Sequence, residues 1–416
     1  MKLFVHDYSG HAFPIQLSRE LSRQDHKVTH AYSAAIESPR GAVQKNVNDC
    51  GNFKIMPIGI PGSFNKYDFF HRARVERRYG AELADAILAD QPDTVILCTT
   101  PNDVLDVVRQ KLPRDMRVIW WLQDIYSIGI RSILNQRVPL TGHIVGAIYR
   151  GKEKRFAARA DHIVSITPDF VPFLRDLGVP SGKITVIENW APVTEIVPLA
   201  RDNAWVVEHG FSGKRIVLYS GTLGLKHNPS VLADVAQNFQ NQRRDDILVV
   251  VATQGLGADL LKMESERRGL RNLKVLPWQP YERLAEMLSA AEILTAIIEP
   301  DASLFSVPSK ILSCFCAGRP LVASIPWDNL AARTITRAGA GFVVAPGNAA
   351  AFMEKVELLL SDRGLRERHG AAARAYAEKT FDIGKIANRF LAIAAGRYDL
   401  GRIDTASAAI SPVRRK

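Results

Sequence analysis

No window of this chain approaches the ~20 uninterrupted apolar residues that a membrane-spanning helix needs, so no such helix is expected. Met1-Lys2 runs straight into Leu3-Phe4-Val5 without a long apolar segment, and no signal peptide is visible there. Cysteine is scarce, with four residues (Cys50, Cys98, Cys314 and Cys316) at no zinc-like spacing. They read as reduced structural thiols of a cytoplasmic protein, and no metal site is expected. A GxGxxG fingerprint is missing after the first strand, which disfavours a dinucleotide site. Acidic side chains are in the minority, 43 Asp and Glu against 54 Lys and Arg, leaving a formal charge of +11. Such a balance suits nucleic acid, an anionic membrane surface or a phosphorylated substrate. No nucleic-acid-reading module is recognisable, so nucleic acid is set aside as a partner.

What is there is a repeated α/β pattern, in a chain of 416 residues that is too long for one typical core. Lys2–His6 reads as a strand, Asp7-Tyr8-Ser9-Gly10-His11 as the turn after it, and Phe13–Gln24 as a helix. That is the opening of a doubly wound sheet, in which ligands approach the carboxyl ends of strands. His11 in this turn fits a catalytic or a plain turn role. Strands are expected at Lys27–Tyr32, Phe53–Pro57, Thr94–Cys98, Arg117–Leu122, His162–Ile166 and Ile184–Ile187. The compact apolar runs among them are of the buried parallel type. Gln123-Asp124 follows one strand directly, placing a carboxylate at a strand tip, where a ligand contact and a turn aspartate are both open. The segments Tyr67–Asp90 and Arg131–Arg159 read as basic helical stretches. In the second, Ile144, Val145, Ile148 and Phe156 interleave with positive charge, as on a helix lying on an anionic bilayer or on a solvated helix with one packed face.

The pattern restarts after a looser stretch at 191–214. Arg215–Tyr219 is a strand, and Gly221 and Gly224 in the following loop let backbone come close to a ligand. Lys226 sits just before a helix expected from Pro229 to Gln240, a sensible place to hold a diphosphate. Ile293–Ile298 is a strand leading through Glu299-Pro300-Asp301 into SVPSKILSCFCAGRPLVAS at 306–324. There Pro308 suits a first helical turn, Ile311 with Phe315 and Leu312 with Cys316 share a buried face, and Gly318 and Pro320 stop the helix. Lys310 in the first turn opposes the helix dipole and is better placed to grip an anion than to stabilise the helix, although a solvated lysine fits the same stretch.

GTLGLKHNP at 221–229, PDASLFSVPSKILSCFCAGRPLVAS at 300–324 and AGAGFVVAPGN at 338–348 resemble the retaining family 4 glycosyltransferases of the GT-B fold. VIENWA at 186–191 and LQD at 122–124 resemble the branch that builds bacterial exopolysaccharide, O-antigen and colanic acid. The resemblance implies two Rossmann-like domains facing a cleft. The expected division is an acceptor-binding domain at 1–200, a nucleotide-sugar domain at 201–378, a helix at 379–400 crossing back to the first, and a disordered tail at 401–416. It puts the family's phosphate-binding lysine on Lys226. The arginine that usually accompanies it falls on Thr222, so Lys310 is the candidate second cation. The usual pair of glutamates eight apart is absent, and Ser313 stands where the second would be. Glu299 and Asp301 are candidates for sugar or ribose hydroxyls, and Trp278 falls in the region near the nucleoside base.

The expected reaction moves a sugar from a nucleotide diphosphate sugar to a saccharide carried on polyprenyl diphosphate, without metal or other cofactor. Positive charge and N–H groups at the Ser306–Ser309 turn would stabilise the leaving diphosphate. The candidate catalytic groups are Asp124, Lys226 and Lys310. Gly221, Thr222, Trp278, Glu299, Ser306, Ser309 and Ser313 are candidates for the donor side, and Gly10, His11, Gln123 and Asn189 for the acceptor side. The expected setting is the cytoplasm, with peripheral attachment to the inner membrane. A GT-B nucleotide-sugar epimerase and a non-catalytic nucleotide-binding scaffold are the alternatives.

Overall fold

Two parallel sheets, built in sequence, account for the apolar runs. The computed structural model describes residues 1–36, 38–59, 69–137, 141–224, 227–303 and 305–398. Lys226 and the tail at 401–416 therefore lie outside the described residues. The first sheet contains β1 (Lys2–Asp7), β2 (Lys27–Ser33), β3 (Phe53–Ile58), β4 (Thr94–Cys98), β5 (Arg117–Leu122), β6 (His162–Ser165) and β7 (Ile184–Val186), in the order β3-β2-β1-β4-β5-β6-β7. The second contains β8 (Arg215–Ser220), β9 (Ile247–Ala252), β10 (Leu273–Leu276), β11 (Ala291–Ile297), β12 (Leu321–Ser324) and β13 (Gly341–Val344), in the order β10-β9-β8-β11-β12-β13. Every pairing is parallel. The strand order reverses beside β1 in one sheet and beside β8 in the other, and in such sheets the crevice at the reversal takes the ligand.

Strands covered on both faces must be apolar throughout, and β4, β9 and β11 are buried at every position. The helix Ile383–Ala394 carries the C-terminal end back onto the first sheet. Its Phe390 ring lies 4.7 Å from that of Trp121, and Arg389 donates to the Val186 carbonyl at 2.7 Å. Trp121 also stacks on Trp190 at 5.6 Å and 13°, and the Trp190 indole N–H donates to Gln16 at 2.8 Å. Asn189 immediately precedes Trp190 in the chain, and Gln123 stands two positions after Trp121.

Two local expectations are corrected. The basic stretch Arg131–Arg159 is not one segment but belongs to two helices, Tyr126–Arg137 and Thr141–Arg159. Its apolar residues do not form one stripe either: Phe156 is buried against Trp120, whereas Ile144 and Ile148 are 64% and 54% exposed. The helix expected to include Pro308 begins at Lys310, with Ser309 as its N-cap, so the proline lies before the helix. Gly318 does adopt the left-handed conformation at the helix end, φ +63°.

Candidate functional site

The carboxyl ends of both sheets open onto one cleft of about 770 Å³. From the first sheet come Ser9 and His11 after β1, Thr99 after β4, and Gln123 and Asp124 after β5. From the second come Gly221 to Gly224 after β8, Gln254 after β9, and Ser306 to Lys310 after β11. Of the sequence candidates, His11, Gln123, Asp124, Asn189, Gly221, Thr222, Ser306, Ser309, Lys310 and Ser313 thus meet around one space, although they are spread over some 300 residues. Gly10, Trp278 and Glu299 are not on its wall. Gly10 shapes the loop between two wall residues instead, at φ +73° with its carbonyl accepting from Gly41. Glu299 follows the wall residue Ile298. Trp278 belongs to the connection after β10, and Gln254 and Tyr281 face the cleft from that side.

Lys310 is the centre of the second-sheet wall. Gly221, at φ +130°, has no side chain where the lysine passes: a Cβ there would lie 3.2 Å from Cε and 3.3 Å from Nζ. The ammonium sits 3.9 Å from the centre of the Tyr219 ring and donates to the Tyr219 hydroxyl, which donates in turn to the Thr222 carbonyl at 2.9 Å. No carboxylate pairs with Lys310 among the described residues. Burial of the ammonium pulls its pKa down from 10.5 to about 7, with only the neighbouring Cys314 opposing. A cation held in a cleft without a counter-charge favours an anionic ligand. The unfolded lysine keeps its ordinary value, so the unfolded chain binds more protons between pH 7 and 10.5, and this group makes stability rise with pH across that window. The loop ahead of Lys310 is fixed by buried Asn329, whose amide donates to the Ser303 hydroxyl at 3.1 Å and the Ser306 carbonyl at 3.0 Å.

The opposite wall is organised by Asp7, which is fully buried at the end of β1. It accepts from the Ser9 and His11 amides and from the Thr99 hydroxyl, and lies 3.5 Å from His11 Nδ1. Burial pulls the His11 pKa down, but Asp7 first and Asp124 second outweigh it, and the net shift is upward. Burial likewise pushes the Asp7 carboxyl up, yet His11 and the hydrogen bonds hold it below its ordinary value. This pairing therefore adds stability that is full below pH 6.5 on the histidine side and is lost as pH rises through the raised value. In the Asp7→Asn variant the His11 resonance should titrate at lower pH than in the parent, which NMR of the imidazole measures directly. Gln123 and Asn189 exchange two hydrogen bonds, 3.2 and 2.7 Å, so each holds the other's amide toward the cleft.

Sequence reasoning missed Thr99, Arg72 and Asn329. Thr99 is a non-glycine residue at φ +50°, strain tolerated where it delivers its hydroxyl to Asp7. Arg72 reaches the cleft from the helix Phe69–Asp90 and is paired with Glu76 at 2.6 Å. The basic run HRARVERR was its only signal. Among the described residues no group of three or more His, Cys, Asp or Glu side chains is placed to hold a metal ion.

Comparison with known proteins agrees with this architecture. Residues 202–376 match the family described as glycosyl transferases group 1, and residues 13–195 match Glycosyltransferase Family 4. A protein of Escherichia coli (strain K12) named as the colanic acid biosynthesis glycosyl transferase WcaI is 23% identical over 284 residues, 66% of this chain and 67% of that one. Two solved structures share the fold over 95% of this chain, each at 14% identity. They are Anabaena Alr3699/HepE in complex with UDP and glucose (TM-score 0.69, 99% of that chain) and WaaG, a glycosyltransferase involved in lipopolysaccharide biosynthesis (TM-score 0.68, 100% of that chain). With two matched halves and two facing parallel sheets, the chain is a GT-B glycosyltransferase belonging to family 4.

Proposed function

We propose that this enzyme transfers a sugar from a nucleotide diphosphate sugar to a saccharide carried on polyprenyl diphosphate during surface polysaccharide biosynthesis, retaining the anomeric configuration and using no metal. The observation that carries this reading is Lys310, a cation on the cleft wall beside Gly221 without a carboxylate partner among the described residues. When the sugar leaves, negative charge grows on the diphosphate, and a preorganised ammonium lowers that barrier. Lys226, on which the resemblance puts the family's phosphate-binding lysine, would supply the second charge that Thr222 does not. The naming of WcaI for colanic acid and of WaaG for lipopolysaccharide supports a surface-polysaccharide product. The UDP held by HepE makes UDP-sugars the first donors to try.

On the acceptor side, Asp124 orients or deprotonates the attacking hydroxyl, beside His11 and the Gln123–Asn189 pair. Arg72 on the same wall suits an acceptor phosphate. Exposed Ile144 and Ile148, with Lys154 and Arg155 on the same helix, would place the acceptor entrance at an anionic membrane surface. No helix among the described residues is long and apolar enough to cross a membrane.

Turnover of UDP-sugars with a lipid-linked acceptor tests the reaction. Asp124→Asn is expected to lose on the order of 100-fold in turnover while still binding donor. Unchanged turnover would remove Asp124 from the chemistry, and donor binding without turnover by the parent protein would favour a scaffold. Liposomes containing anionic lipid should pull the parent protein down at low salt, and indifference to them would remove the membrane element.

A further inference from the structure

A second cavity, of about 490 Å³, opens at the other end of the C-terminal sheet. Its wall includes Glu292 at the start of β11, Arg319 just before β12, Arg201 from the connection between the sheets, and Arg363, Arg366 and Glu367 from the helix Arg363–Thr380. These are amino ends of strands, whereas the cleft lies at the carboxyl ends. β11 alone separates Glu292 from the cleft residue Ile298, roughly 20 Å at the rise of a strand.

Four arginines here face two glutamates, and both glutamates are already committed. Buried Glu292 takes Arg366 Nε at 2.6 Å and Arg201, with Arg215 at 3.6 Å. Glu367 is paired with Arg363 at 2.7 Å. Arg319 has no carboxylate partner among the described residues. Its guanidinium donates to the Leu199 and Ser289 carbonyls at 2.9 and 2.8 Å, while its buried Nε has no hydrogen-bond partner. An ion-pair network serving only to neutralise Glu292 would need one or two cations. The additional arginines repel one another until an anion arrives, and burial together with Arg201 destabilises the charged form of Arg319. Guanidinium forks match phosphate oxygens two at a time, and the volume is that of a small-molecule site.

We propose that this cavity is a binding site for a small phosphorylated metabolite, separate from the donor and acceptor cleft. The helix Lys310–Cys316 runs from the cleft to the Gly318-Arg319 turn, so an occupant would rest against the far end of the element that carries Lys310.

Calorimetric titration with inorganic pyrophosphate tests it. Because the cleft can also take a diphosphate, the titrations are made in the Lys310→Met protein, alone and combined with Arg319→Gln or Arg363→Glu. Arg363 is 84% exposed, so its replacement leaves the fold intact even where loss of Arg319 does not. Pyrophosphate is expected to bind the Lys310→Met protein and to bind at least 10-fold more weakly when Arg363→Glu or Arg319→Gln is added. Absence of binding in the Lys310→Met protein, or equal binding after both arginine changes, would overturn the proposal.

Discussion

Replacing Lys310 by methionine is expected to lower turnover by about 100- to 1,000-fold, the usual consequence of removing one preorganised donor from a developing negative charge. The same change should raise the melting temperature at neutral pH. Methionine removes the burial cost of an ammonium whose pKa is depressed to about 7, a cost that only the folded state bears. Loss of activity with gain of stability separates a functional cation from a structural one, because a structural lysine would lose both. A second signature follows from the same depression. At pH 8, above the depressed value of about 7, Lys310 is mostly neutral in empty molecules, and a bound diphosphate restores its charge. Donor binding at that pH should therefore take up protons in the parent and none in Lys310→Met. Calorimetry in buffers of differing ionisation enthalpy reads the difference, and equal uptake in the two proteins would dismiss Lys310 as the diphosphate grip.

Gly221→Ala should come close to that loss without removing a polar atom. The new methyl would stand 3.2 and 3.3 Å from the last two atoms of the lysine side chain, and alanine resists φ +130°. The strained backbone costs on the order of 1–3 kcal/mol, so the melting temperature should fall here rather than rise. Displacing the ammonium by about an ångström is enough to cost on the order of 100-fold in turnover. Because both substitutions act on one group, the double variant should be scarcely slower than Lys310→Met alone. Multiplicative losses would mean that Gly221 acts through the ligand or the loop rather than through Lys310.

The strands were legible because parallel strands covered on both faces leave no alternation to interpret; they are apolar runs with ends, as at β4 and β9. The glycine turns were legible for a related reason, since Gly221 and Gly318 hold conformations that other residues resist. What could not be seen was pairing across the chain. Asp7 was read as a turn residue, yet its partners include Thr99, 92 positions away. Asn329 was not singled out at all, although it fixes the Ser306 loop through contacts 23 and 26 positions distant. Trp278, which the family resemblance puts in the region near the base, is not on the cleft wall, whereas Gln254 and Tyr281 are. The basic stretch at 131–159 was harder to read because Ile144, Val145, Ile148 and Phe156, although all on the helix Thr141–Arg159, do not share one buried face: Phe156 is buried while Ile144 and Ile148 are exposed.

The loop that fixes Lys310 also bridges the two halves of the molecule. Beside the cleft, the Ile125 amide donates to the Phe305 carbonyl at 3.2 Å, and the Phe305 ring lies so near Gly129 that a Cβ there would be only 3.0 Å away. One backbone hydrogen has its acceptor on the opposite lobe. Deuterium uptake at that single amide is consequently a gauge of lobe separation, slow while the halves are docked and fast when they part.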